Sequence, residues 1–130
     1  MSESILHATC VSYFRATYPN MLLWNSLSGI NLSNTKDKHQ EVTKLKREGW
    51  VKGIPDIYIA LPNGESLHVE FKTDSKNSKQ SIEQVEMENK LVSLGHRYEL
   101  VRNFREFVSL MESVSISTKQ IRGSNLLTKC

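Results

Sequence analysis

Apolar residues recur along this chain in two rhythms, and the changes of rhythm mark its elements. Leu6, Cys10, Tyr13 and Thr17 fall at i, i+4, i+7 and i+11 behind Ser2, so residues 2–18 are predicted to form a helix with Ser2 as cap and those four positions facing inward. Glu3 sits at the N-terminal end of the same stripe. Pro19-Asn20 ends the helix, and Met21-Leu22-Leu23-Trp24 is a short apolar strand. The polar stretch Asn25 to Asn34 reads as loop, and Lys36 to Glu48 as a basic helix closed by Gly49. Ile57 to Leu61 is β-branched and aromatic, as a buried strand should be, and Pro62-Asn63-Gly64 supplies a turn. Thr73 to Gln80 is loop-like. Ser81 to Leu94 is the clearest helix, with Gln84, Met87, Leu91 and Leu94 facing in and Gly95 ending it. Arg97 to Arg102 is a strand, and Phe104 to Val114 a last helix with Phe104, Phe107 (or Val108) and Met111 inward.

The order α-β-(α)-β-β-α-β-α predicts a mixed sheet with helices on its faces, an α/β class. Residues 1–114 form one domain on this reading. Residues 115–130 turn to Ser, Thr, Lys and Gly, the composition of a mobile tail.

One strand breaks its own pattern. In Leu67 to Lys72 the apolar Leu67, Val69 and Phe71 alternate with His68, Glu70 and Lys72, which puts a carboxylate and an ammonium on one face beside a buried strand. Asp56 opens that neighbouring strand. Whether the two acids meet depends on the turn. A two-residue turn pairs Pro62 with Glu65 and sends them to opposite faces. A three-residue turn over 62–64 pairs Leu61 with Glu65 and sets Asp56 directly across from Glu70. A shared site predicts the second.

Composition narrows the setting. The chain has 130 residues, 38% hydrophobic and 24% charged, within the range of a soluble globular domain. Apolar runs are too short to span a membrane, and no basic and apolar leader follows Met1. Two cysteines, Cys10 and Cys130, without a CxxC or Cys/His cluster, argue against a zinc site or a disulfide scaffold and fit a reducing, cytoplasmic location. The net charge of +3 is unevenly placed. Lys36, Lys38, Lys44, Lys46, Arg47 and Lys52 outnumber Asp37, Glu41 and Glu48, and Lys72, Lys76 and Lys79 follow the hairpin. An isolated basic run is most often a solvated face; two runs flanking one site point to the phosphate backbone of nucleic acid.

Asp56 and Glu70 on adjacent strands suit Mg²⁺, which takes oxygen ligands from one or two carboxylates and completes its shell with water and substrate phosphate. Lys72 on the same face can orient a water or neutralise phosphate charge. Gly53-Ile54-Pro55-Asp56, then Glu70-Phe71-Lys72, then Ser81-Ile82-Glu83-Gln84 and Gly95 resemble the VRR-NUC domain of the PD-(D/E)xK nucleases, in its stand-alone phage and bacterial type. The likeness runs from Glu3 to Val108. It implies a restriction-endonuclease-like core and a Mg²⁺- or Mn²⁺-dependent DNA endonuclease. In that family Asp56, Glu70 and the backbone carbonyl of Phe71 would bind the ion, Lys72 would position the attacking water, and Gln84 would support the lysine or the substrate phosphate. A first-helix glutamate often completes the site, and Glu3 is the residue so placed. Small members are similar to archaeal Holliday-junction resolvases, which implies a homodimer acting on branched DNA.

Each residue also has a plainer explanation. Asp56 can be a strand-start acid, Glu70 and Lys72 an exposed ion pair of little worth, Glu3 a helix-dipole acid. Ser81-x-x-Gln84 is also a capping box. His68 reads as a solvent-facing strand residue, and the other histidines have no partner spacing. Trp24 and Trp50 read as core or dimer-interface residues rather than base-stacking platforms. A sequence-specific restriction-type enzyme and a catalytically silent DNA-binding module on the same fold are the rival functions. The silent module is disfavoured because no motif residue is missing.

Overall fold

β2 (Ile57–Ala60) and β3 (Ser66–Phe71) form the centre of a four-stranded sheet of order β1-β2-β3-β4. The computed structural model describes residues 1–28, 37–75 and 78–114. β1 (Leu22–Asn25) lies antiparallel to β2, and β4 (Arg97–Val101) runs parallel to β3. A parallel neighbour needs a crossover, and α3 (Ile82–Ser93) supplies it. The turn between β2 and β3 is a three-residue 3-10 turn over Pro62–Gly64, closed by Leu61 N–H donating to the Glu65 carbonyl at 2.8 Å. Ile57 pairs with Val69 and Ile59 with Leu67. Continuing this register by one residue sets Asp56 across from Glu70, as the shared site requires.

The two faces of the sheet differ. Ile57, Ile59, Leu67, Val69, Phe71 and Val101 form one buried face. It packs against Leu6, Cys10 and Phe14 of α1 (Glu3–Thr17) and against Phe107, Met111 and Val114 of α4 (residues 104–114). Burial pushes the Cys10 thiol up to about 12, so it stays protonated and inert. The other face carries Trp24, Tyr58, His68 and Glu70, with α3 beside it. α2 (Lys38–Arg47) buries no residue.

Several boundaries and stripes differ from the sequence reading. The inward stripe of α1 ends at Phe14. Tyr13 lies on its flank against Phe104 and Phe107, and Thr17 is exposed. Leu6, Cys10 and Phe14 are spaced by four, a row that turns about 40° around the helix at each step, and Thr17 is the last residue of the helix. Asp37 caps α2 through Gln40 N–H, and Lys36 lies outside the described residues. Leu94 is the C-cap of α3 and points to solvent at 65% exposure. Phe104 is partly exposed while Phe107 and Met111 are fully buried. The tail from 115 to 130 also lies outside the described residues.

Candidate metal centre

Glu70 is the one charged group buried among the described residues, 2% exposed. A lone carboxylate rarely sits there unless something holds it. One oxygen, Oε1, accepts a hydrogen bond from Gln84 Nε2 at 2.8 Å; the other, Oε2, has no partner. Burial, and then the charge of Asp56, push this carboxyl up to about 8, while Lys72 pulls the other way. A buried oxygen with an unused lone pair next to a second acid needs a proton or a cation.

Asp56 is held from two sides. Its Oδ1 accepts from Ser28 Oγ at 2.6 Å and its Oδ2 from the Phe71 backbone N–H at 2.8 Å. Phe71 thereby ties the head of β2 to the end of β3. Lys72 follows β3, with its backbone N–H donating to the Val101 carbonyl. Its ammonium makes no ion pair among the described residues.

Gln84 does both things the sequence allows. Its Oε1 accepts from Ser81 N–H at 2.8 Å, closing a capping box with Ser81 Oγ, while its Nε2 reaches Glu70. Cap and site share one amide because its two ends face opposite ways. Ser81→Ala removes only the cap and is expected to cost about 1 kcal/mol of stability. Gln84→Ala also strips Glu70 of its donor. Thermal melts with cleavage assays will separate them: both variants melt lower, and only Gln84→Ala loses most of its activity.

Gly53 explains the first motif. It adopts φ +90°, and a Cβ there would lie 2.6 Å from the carbonyl oxygen of Glu83. The loop into β2 therefore runs against the first turn of α3, where Lys52 also pairs with Glu83 at 3.3 Å.

Glu3 is exposed and accepts from Ser78 Oγ at 2.7 Å. It lines a cavity of about 330 Å³ with Asp56, Phe71, His7, Asn25 and Ser28. Glu70, Lys72 and Gln84 are not among its walls. Among the described residues no three carboxylate, imidazole or thiol groups form a ready metal cage, so Glu3 shares the cavity without joining the acid pair. Two carboxylates suffice for an ion that keeps water and phosphate ligands, and the unpartnered Glu70 oxygen fits one.

Ser28, His7 and Ser78 were not singled out in the sequence. His7 lies four residues after Glu3 on the same side of α1, a spacing that makes it a candidate neighbour of the cavity. Its ring packs 4.8 Å from that of Phe71. Ser28 and Ser78 come from loops, where nothing periodic marks them.

His68 is half-buried rather than solvent-facing, in a row of rings across the sheet. Trp24 stacks on Tyr58 at 4.3 Å, and Tyr58 and His96 meet His68 edge-on. Burial and then the charge of His96 lower its pKa. Neither tryptophan is in the core: Trp24 is 45% exposed, and Trp50 is half-buried, donating from Nε1 to the Leu27 carbonyl. Lys38, Lys44, Lys46, Arg47, Lys52 and Lys79 are exposed, with Lys44 and Lys52 paired to Glu48 and Glu83. Lys76 lies outside the described residues.

No family model matches the sequence, and no curated protein does. Solved structures do match. One described as a VRR_NUC domain protein superposes with a TM-score of 0.63 at 21% identity over 88% of each chain. Another, a VRR_NUC domain, gives 0.56 at 17% identity, over 86% of this chain and 97% of that one. The chain has the fold of a VRR-NUC domain. No helix among the described residues is long and apolar enough to cross a membrane.

Proposed function

We propose that this chain is a divalent-metal-dependent DNA endonuclease that hydrolyses phosphodiester bonds and selects branched DNA such as Holliday junctions. The observation that carries the reading is the unpartnered oxygen of buried Glu70 beside Asp56. Asp56, Glu70 and the Phe71 carbonyl, with Glu3 at the rim, would hold Mg²⁺ or Mn²⁺, which supplies Lewis-acid activation of the phosphate and lowers the pKa of water. Asp56 is fixed by Ser28 and the Phe71 amide, and Glu70 by Gln84; neither needs to reorganise during the reaction. Lys72 orients the attacking water and meets the negative charge that grows on the phosphate. The exposed lysines and arginine of α2, with Lys52 and Lys79, contact the DNA backbone, and Lys36 and Lys76 add to the same basic charge in sequence. Two copies, each with one site, suit paired nicks in opposed strands.

Purified protein assayed with Mg²⁺ or Mn²⁺ on a four-way junction, a flap, duplex and single strands tests this. Lys72→Ala is expected to lower cleavage about 10²–10³-fold and to leave junction binding close to wild type. Cleavage by Lys72→Ala at the wild-type rate overturns the mechanism. Absence of cleavage of any DNA by the wild type returns the silent DNA-binding module.

A further inference from the structure

A second cavity lies one pleat repeat from the acid pair. Tyr58 follows Asp56 by two residues and His68 precedes Glu70 by two, so these rings stand on the acids' face about 7 Å along the strands. Trp24 stacks on Tyr58 with ring centroids 4.3 Å apart and 22° between the planes, and His68 meets Tyr58 edge-on. The three rings line a cavity of about 380 Å³, together with Met87 and Leu91 of α3. Pockets for small ligands start at about 300 Å³.

The walls say what fits. Among the described residues no lysine, arginine or acid lines this cavity, so a phosphate would find no counter-charge there. A flat, neutral ring finds stacking partners, and every nucleobase has a π-face to offer them. Asn25, also on the wall, accepts the Leu27 N–H on its Oδ1 at 2.7 Å, which leaves its amide N–H groups to donate to a base edge. Asn25 and Leu27 line the cavity beside Asp56 as well, so the two spaces adjoin across a shared rim. Leu27 stands on that rim at φ +61°, a backbone conformation that a non-glycine residue keeps only where it is held. It is held from both sides, its N–H by Asn25 and its carbonyl by Trp50 Nε1 at 3.2 Å. Its side chain is nevertheless 57% exposed. A fixed, exposed leucine is the kind of apolar wedge that keeps neighbouring bases unstacked.

We propose that the Trp24–Tyr58 cavity takes one unpaired nucleobase of the DNA, the base next to the phosphate held at Asp56 and Glu70, with Leu27 as the wedge beside it. The proposal rests on the DNA endonuclease reading above and gives that reading a device for selecting substrate. Branch points and flaps present unpaired bases, whereas a continuous duplex must first have one extruded.

Equilibrium binding of the full chain in Ca²⁺ tests it with duplexes of one sequence. One is fully paired, one carries a single unpaired adenine, and one carries an unpaired abasic nucleotide with the same phosphates. The wild type is expected to bind the adenine bulge about tenfold more tightly than the abasic one. Trp24→Ala should abolish that ratio, Trp24→Phe should keep it, and Leu27→Ala should reduce it. A purely structural role for Trp24 would weaken binding to every duplex alike and leave the ratio unchanged. Circular dichroism melts confirm that each variant is folded, and Tyr58→Leu serves where Trp24→Ala is not. A wild type that binds both bulges equally, or neither, overturns the inference, and so does a ratio that survives in Trp24→Ala. If Trp24→Ala instead abolishes self-association in sedimentation and keeps the ratio, the rings belong to a contact between copies and the inference also fails. Cleavage in Mg²⁺ is scored separately. A wild type that shows the ratio and cuts nothing refutes the nuclease reading alone, and one that cuts without the ratio refutes the base pocket alone.

Discussion

Glu70→Gln is expected to make the protein inactive and, at alkaline pH, more stable. The substituted amide keeps an oxygen for Gln84 and replaces the unpartnered oxygen with a donor that can face Asp56. It removes a buried charge without leaving a hole. Ionising Glu70 is harder in the folded chain than in the unfolded one, because burial and Asp56 both oppose it. The folded state therefore keeps the proton from the ordinary value of 4.5 up to about 8. This contribution to stability is fully present below that window, is lost as pH rises through it, and stays lost above it. Without divalent cations the wild type should melt lower at about pH 9 than at about pH 5 by more than Glu70→Gln does, with a difference on the order of 5 °C. Added Mg²⁺ should raise the melting point of the wild type most at high pH, where the ionised form that binds it prevails. It should leave the variant unchanged, and cleavage by the variant should fall about 10²–10³-fold. A variant that melts below the wild type at high pH would mean that Glu70 is stabilised there by a partner other than a cation. Sites built for chemistry often trade stability in this way.

Gly53→Ala is expected to be the most damaging single methyl in the chain. The backbone at φ +90° is strained for any residue with a Cβ, and that Cβ would be driven against the Glu83 carbonyl. Neither backbone can yield cheaply, since one leads into β2 and the other is the first turn of α3. About 2–4 kcal/mol of stability should be lost. The displacement also falls one residue from Gln84, so activity should drop even where the chain remains folded. Chemical denaturation with a cleavage assay at low temperature checks both. Gly49→Ala serves as a control: it also has a positive φ, but nothing lies within 4 Å of its Cβ. Equal losses from the two would mean that strain alone, rather than the approach to α3, accounts for the effect.

Much of the frame was legible because it depends on local chemistry. The Pro62-Asn63-Gly64 turn, the period of two in β3, and the Ser81 cap are properties of short windows, and neighbours in the chain decide them. Even the pairing of Asp56 with Glu70 could be posed from sequence, since a hairpin joined by three residues has one register. The inward stripes were less legible. Phe14 replaced Thr17, and Leu94 turned outward, because a helix's inward face is chosen by what it packs against and not by its own pattern.

By itself, then, the sequence determined most of the elements and the acids and lysine of the hairpin's polar face, and it narrowed the hairpin to two registers, of which the folded turn over Pro62–Gly64 selects one. Tertiary structure decided the rest. It brought Ser28 to Asp56 from a loop 28 residues earlier and Gln84 to Glu70 from 14 residues later, and it set Glu3 and His7 beside the same cavity. It also decided that Glu70 is buried with one oxygen unused. Burial depends on what folds over a residue, and that is a sum over contacts distant in the chain, which no window along it contains.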